Sequence, residues 1–459
     1  MVNKSGVITL LFLVLGGAIV GGWFYYKSLP QEPEDYALAV MDALQAKDIR
    51  LARRLADEGV ARYPDNNGLW HVAANVAQMQ DKKEAALRYL SHVTDDGENT
   101  ILPFSQKAQL LIRTGRPNEA EKVIATILKY DPGNLIANQM LFTIYRLGGR
   151  SFEARQPIEK IIRSKGFDTK LCFMRLVPDV AWISEKEDKE LLDAAAAEGQ
   201  STPLTGSGLN QLTNGRLDEA TRSYQAATSV DPNSMEAQAR LGWCFIKAED
   251  QQQFAAWKKQ LTKKTFRHPI TWLCLGAEAE ASGKNDVAIR CFAEALKRDP
   301  DNRLACNSLV RTLKVAGRNE DAKRFESDAQ ALTDLHETMR PNRTIDPSEE
   351  DGRIQVIRAL IKLRRYLELE VWLESSKAEA VKNEAPAEAV FQQIEEIIEP
   401  YLTQLPPDGH FSDPAQHPMT GFDLSQFPLP DGIDPDSAPD KLDPPPKTDV
   451  DPHAGHNHG

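Results

Sequence analysis

The residues best suited to chemistry crowd the carboxyl end. Asp451, His453, His456 and His458 fall within eight residues, and His410 and His417 lie upstream. Imidazole nitrogens beside a carboxylate are ligands for zinc, copper or nickel. The short spacing lets one stretch of chain wrap a single ion. Nothing around these residues fixes geometry or excludes water, as a tuned metal centre requires. The expectation is therefore weak zinc, copper or nickel binding, set against a merely polar tail. The histidines are not consecutive, which argues against an expression tag.

The other reactive side chains are scattered. Cys172, Cys244, Cys274, Cys291 and Cys306 form no CxxC motif, and an odd number leaves no complete disulfide framework. Their helical, apolar surroundings read as buried small hydrophobes; a bridge between Cys274 and Cys291 is the one pairing considered. Gly206, Ser207 and Gly208 lack the lysine and strand of a phosphate-binding loop. No GxSxG elbow or HExxH helix is present, and His71, His92, His268 and His336 have no catalytic companion in sequence. The chain reads as a non-enzyme.

Composition narrows the partners. The 459 residues carry a formal charge of -12. A chain without a basic field has little with which to displace counterions from a nucleic acid, so none is expected as a partner. Residues 1–6 form a short leader. Residues 7–26 are almost wholly apolar, and Val7 to Phe24 carries no charge. That length suits one membrane-spanning helix, with Trp23, Tyr25 and Tyr26 at its interface. These bulky residues stand where a cleaved signal would need small ones. The expectation is an uncleaved signal anchor, single-pass in a bacterial inner membrane, with a periplasmic soluble part.

The elements that would position any site follow a fixed ruler. Gly215, Ala220, Tyr224, Ala227 and Pro232 recur as Gly283, Ala288, Phe292, Ala295 and Pro300, each 68 residues on. Half of that, 34 residues, is the length of one helix–turn–helix unit. Gly208, Gly242 and Gly276 are small where helices approach closely, and Gly215, Gly283 and Gly317 suit the turn between helices. Pro232 and Pro300 follow Asp231 and Asp299 and end a unit. Pro132 to Pro232 spans 100 residues rather than the 102 of three periods, so one unit has lost two.

On these residues, and on Trp272, Leu275, Gly276, Gly283, Ala288, Phe292, Ala295 and Pro300 in the best unit, the chain resembles the tetratricopeptide repeat family over residues 33 to 336. Phe254 departs from the pattern, standing where alanine is usual, and suggests a locally widened helix pair. The resemblance implies an all-α, right-handed tetratricopeptide superhelix, an α-solenoid with an N-terminal transmembrane helix and a disordered C-terminal tail. The expected parts are repeat blocks over 33–168 and 201–336, a degenerate repeat or bend over 169–200, a helical cap over 350–402 and a Pro/Asp-rich tail over 406–459, disordered or extended.

The resemblance also implies a task. Stacked first helices make a concave binding face in such solenoids. Asn75, Gln78, Asn138, Arg146, Asn210 and Asn307 are the expected contributors. The resulting expectation is a membrane-anchored scaffold that captures a protein or peptide on that face, with homo-oligomerisation permitted by exposed helix faces. The alternative is a metal-handling adaptor that uses the histidine tail.

Overall fold

A computed structural model of the chain describes residues 32–165, 169–177, 181–184, 188–339, 350–366, 368–374, 386–402 and 417–442. They form two compact units, residues 1–114 with 118–134, and 115–117 with 135–459.

The first unit is a run of antiparallel helices: α1 (Pro33–Gln45), α2 (Ile49–Arg62), α3 (Asn67–Met79), α4 (Lys83–Ser91), α5 (Ile101–Arg113) and α6 (Pro117–Tyr130). Side chains placed just before the helices start them. Asp48 accepts the Leu51 amide and Asn66 accepts the Leu69 amide, each at 2.9 Å. Alanines at the helix crossings, Ala52, Ala73 and Ala86, are fully buried and let the backbones close.

The second unit continues with α7 (Leu135–Leu147), α8 (Ser151–Lys165), α9 (Thr169–Leu176), α10 (Lys189–Ala197), α11 (Thr202–Thr213), α12 (Leu217–Val230), α13 (Met235–Lys247), α14 (Gln251–Lys258), α15 (Pro269–Ala281), α16 (Asn285–Arg298), α17 (Arg303–Val315), α18 (Asn319–Met339), α19 (Glu350–Lys362) and α20 (Pro386–Leu402). Its core is built from Ala220, Tyr224, Trp257, Trp272, Ala288, Phe292 and Phe325, all buried. The repeat pattern is visible in how they pack. A Cβ placed on Gly208, Gly242 or Gly276 would come within 2.7, 2.4 and 2.5 Å of Tyr224, Trp257 and Phe292 respectively. Each glycine thus clears the seat of an aromatic ring from the next helix.

The 34-residue ruler is also written in the backbone. Lys47, Asp81, Gly115 and Gly149 all have positive φ, as do Gly215, Glu249, Gly283 and Gly317. Within each set of four the spacing is 34; from Gly149 to Gly215 it is 66, two short of 68. The two missing residues therefore fall in the irregular stretch, where α9 and α10 have only 8 and 9 residues. The two compact units divide near Asn134, upstream of this stretch.

Three other expectations meet the structure differently. Phe254 is accommodated by a second helix of 8 residues, against 14 in α12 and α16, and by stacking on Trp257 at 5.0 Å between ring centres. The start of the expected cap is broken into two helices. Arg364 turns left-handed at φ 58°, Arg365 donates its amide to Leu360 O, and residues 368–374 resume as helix. All five cysteines are free and buried, so the Cys274–Cys291 bridge does not form. Burial pushes the Cys244 thiol up to about 11 and the other repeat thiols higher.

The membrane reading is corrected. Among the described residues no helix is long and apolar enough to cross a membrane. The longest of them, α18 at 21 residues, carries Glu320, Asp321, Lys323, Arg324, Glu326 and Asp328 along its length. The expected span over 7–26 lies outside the described residues. The anchor, the inner-membrane placement, the periplasmic soluble part and the membrane as partner are withdrawn, leaving an all-α repeat array.

Within the tail, residues 417–442 form a non-helical segment with turns at 418–421, 431–432 and 435–437. They contain one short 3-10 turn, Leu424–Gln426, and lie against the second helices of the repeats, with Phe422 and Phe427 buried. Residues 443–459, including Asp451, His453, His456 and His458, lie outside the described residues, as does His410.

Candidate partner-binding cleft

An open cleft of about 330 Å³ lies in the second unit on the side of the first helices. Its walls are Phe152 from α8, Leu212 from α11, Trp243 and Lys247 from α13, Ile270 from α15 and Leu304 from α17, with Leu217 and Gly215 at one end. Repeat packing explains why these side chains are free to line it. The ring-and-glycine contacts are made at Gly208, Gly242 and Gly276, and residues such as Leu212 and Trp243 are left only partly covered. Lys247 is exposed at the mouth, its ammonium 5.0 Å from the centre of the Trp243 ring.

The floor is polar, its groups engaged with one another. Glu236 and His268 stand 32 residues apart in sequence, and His268 Nε2 lies 2.9 Å from Glu236 Oε2. Arg240 Nε donates to the other carboxylate oxygen at 2.7 Å. His268 Nδ1 accepts the Ile270 amide at 3.2 Å, which makes this histidine the cap of α15 and fixes its ring. The Phe152 ring meets it edge-on at 5.4 Å. Burial pushes the Glu236 carboxyl up, but His268 and Arg240 together outweigh it and hold it down at about 2. The carboxylate is therefore ionised at neutral pH. The residues lining the cleft include no serine or cysteine. A histidine–carboxylate pair with both partners engaged and no nucleophile beside it orders a wall; it does not set up a reaction.

Next to this floor, buried ions join distant parts of the unit. Arg155 of α8 pairs with Asp299 and lies 3.7 Å from Asp301. Arg365 pairs with Asp301 and lies 3.9 Å from Glu368, which accepts from Arg175 of α9 at 2.6 Å. Burial, and then the neighbouring Arg175, pulls the Arg365 guanidinium down to about 9, which leaves it charged at neutral pH. Three guanidiniums face three carboxylates. Such a balanced buried network costs desolvation, and its removal one partner at a time is far more damaging than its absence. It sets α8, α9 and the segment after α19 against the α16–α17 turn.

The six residues expected on the binding face are occupied within their own units. Gln106 donates to both Asn75 and Gln78, at 2.5 and 2.6 Å, so these two belong to a side-chain ladder in the first unit. Asn138 is buried. Arg146 makes a two-pronged pair with Asp188 at 2.6 Å and also donates to Trp182 O. Asn210 accepts from Asn214, and Asn307 donates to Thr333 Oγ1. None of them lines the cleft. The sequence reading sought polar side chains on first helices. The signal it passed over is a partly covered tryptophan beside a lysine one helical turn away, Trp243 and Lys247, on a helix whose packing positions were already assigned.

The expected metal ligands Asp451, His453, His456 and His458 lie outside the described residues, and of the two histidines upstream only His417 is described. Its Nδ1 accepts the Met419 amide at 3.1 Å. Burial, then Arg364 and Arg365, lowers it to about 4. Two guanidiniums nearby oppose a bound cation. Among the described residues no group of three or more His, Cys, Asp or Glu is placed to hold a metal ion.

Comparison with known proteins enters here. Residues 185–337 match the family model described as tetratricopeptide repeat. The match covers the end of the irregular stretch and the second repeat block, which supply every lining residue of the cleft except Phe152. Tetratricopeptide arrays are characteristically non-catalytic and present extended concave surfaces. No curated protein matches the chain. Among solved structures it is similar to the APC/C hetero-tetramer Cut9–Hcn1, at 14% identity over 83% of this chain and 81% of that one, with a TM-score of 0.32. It is also similar to the C-terminal part of a TPR repeat-containing protein from Cytophaga hutchinsonii, at 14% identity, 63% and 99% coverage and a TM-score of 0.26. For yeast Tom70 the values are 12%, 88% and 97%, and 0.25. Superposition is poor in each case, and the functional reading rests on the chain itself.

Proposed function

We propose that this protein is a noncovalent scaffold that captures a peptide segment of a partner protein in the cleft between α8 and the first helices α11, α13, α15 and α17. The observation that carries the reading is the cleft's composition: an apolar, half-covered wall with a single exposed cation, Lys247, resting on Trp243 at its mouth. A rigid, mostly apolar concavity with few polar groups is what a small recognition site requires. Glu236, His268 and Arg240 are engaged with one another in the floor, so affinity comes from the walls and the rim. The segment that fits presents one bulky apolar side chain next to a carboxylate.

Selection of displayed random peptides on the full chain tests this. Peptides pairing an aromatic or leucine with Asp or Glu should be enriched. Their binding should fall at least about tenfold in Trp243→Ala, the loss expected of a central aromatic contact, and on Lys247→Glu. Enrichment that ignores both substitutions would reject the cleft as the site.

A further inference from the structure

The second inference concerns a different face and is independent of the cleft. Residues 417–442 run over the second helices in reverse order, from α18 to α16, then to the α14–α15 connection and the α12–α13 turn. Arg324 of α18 donates to the carbonyls of Pro418 and Thr420, at 3.2 and 2.8 Å. Arg290 of α16 donates to those of Leu424 and Phe427, at 2.9 and 3.1 Å. Lys263 gives its amide to Pro439 O at 2.9 Å. Asn233 closes the path, exchanging hydrogen bonds with both the amide and the carbonyl of Leu442.

Three properties of this contact are those of a receptor with its ligand. First, recognition is through main-chain carbonyls, which any peptide possesses, with side-chain selectivity confined to two anchors. Phe422 meets Phe325 edge-on at 5.4 Å and stacks on Phe427 at 5.6 Å. Arg324 and Arg318 lie over these two rings. Second, charge is complementary. The segment has five aspartates and one lysine, while the helices offer Lys263, Lys284, Arg290, Arg318 and Arg324. Third, the ionic part of the hold lies at the surface. The ion pairs Lys284–Asp431 and Lys263–Asp440 have aspartates 92% and 85% exposed, and exposed pairs contribute little. Five prolines restrict the segment's backbone and limit what it loses on ordering.

We propose that the face formed by α16 and α18 is a binding surface for a non-helical, acidic, proline-rich peptide with two phenylalanines five residues apart, and that residues 417–442 are its resident, displaceable occupant. A partner segment of that chemistry competes with the chain's own.

The test uses the full chain and a fluorescein-labelled synthetic peptide of residues 417–442. Phe422→Ala with Phe427→Ala in the chain removes the resident anchors. This variant should bind the peptide at least tenfold more tightly than the unaltered chain. A peptide lacking both phenylalanines should bind neither. Asp431→Lys with Asp440→Lys touches only exposed positions and should give a smaller gain in the same direction; it serves should the first variant lose helicity. Adding Arg290→Ala and Arg324→Ala to the opened chain should abolish the gain. Equal binding to opened and unaltered chains, or none to either, overturns the proposal. So does a dimer formed by the unaltered chain and lost on opening, since the face would then serve exchange between copies.

Discussion

The indole of Trp257 sits on Gly242, so close that a Cβ on the glycine would stand 2.4 Å from the ring. The same contact joins Gly276 to Phe292 and Gly208 to Tyr224. It explains why a small residue recurs in the first helix and an aromatic one in the second. Gly276→Ala should therefore destabilise the fold by about 1–3 kcal/mol through overpacking, although alanine is the better helix former. Denaturant unfolding measures it; an unchanged midpoint would mean that the Phe292 ring swings aside freely.

Tyr224 fills the corresponding place in the preceding unit, but its buried hydroxyl has no hydrogen-bond partner. Removing an unsatisfied buried polar atom should relieve its desolvation. Tyr224→Phe is expected to be neutral or to stabilise by up to about 1 kcal/mol. A loss of that size in a melting experiment would show that the hydroxyl is in fact satisfied.

Glu249 holds the left-handed turn that Gly283 holds one unit later, at φ 55° against 68°. A side chain there costs about 1 kcal/mol or somewhat more. Glu249→Gly should recover part of that and raise the melting temperature by a few degrees, while Gly283→Ala should lower it. Opposite signs are the diagnostic result.

Glu236 links the cleft floor to acid stability. Its carboxyl is held at about 2, below the ordinary 4.5. A depressed carboxyl contributes stability above its unfolded value and loses it as pH falls from about 4.5 towards 2. The unaltered protein should lose roughly 3 kcal/mol from this group over that interval. Glu236→Gln strands Arg240 and His268, so it should cost about 3–5 kcal/mol at neutral pH and flatten the acid limb. A parallel acid limb in the variant would assign acid sensitivity elsewhere.

His417 makes a switch of the same sign at higher pH. Its value in the fold, about 4, is below the ordinary 6.5, because burial, Arg364 and Arg365 disfavour the imidazolium. The neutral ring is compatible with the packed segment and the charged ring is not. As pH falls from about 6.5 towards 4, the start of segment 417–442 should loosen. Hydrogen exchange at Met419, whose amide bonds to the His417 ring, should accelerate over that interval. Exchange that does not respond to pH beyond its intrinsic rate would remove His417 as the cause.

How much of this could be read beforehand differs by feature. The repeat was legible because each of its positions answers to one local demand, so glycine, alanine, aromatic and proline recur in register. The loss of two residues was legible from prolines alone and reappears as the 66-residue step from Gly149 to Gly215. The cleft was not, because Phe152, Leu212, Trp243 and Leu304 come from four helices and meet only after the units stack. Polar side chains on first helices also find one another, as Gln106 finds Asn75 and Gln78. The packing of residues 417–442 was hidden by composition, since proline and aspartate signal the lack of helix without saying whether such a chain has a surface to lie on.

That surface bears on how the array comes apart. Repeats coupled only to their neighbours can unravel from an end, one unit at a time. Here a single segment fastens Arg324, Arg290, Lys263 and Asn233 together. Pulling any one of these units away must also peel the segment from the others. The second block should therefore behave under load as one cooperative body with a single rupture event, and cutting the segment should turn that event into a staircase.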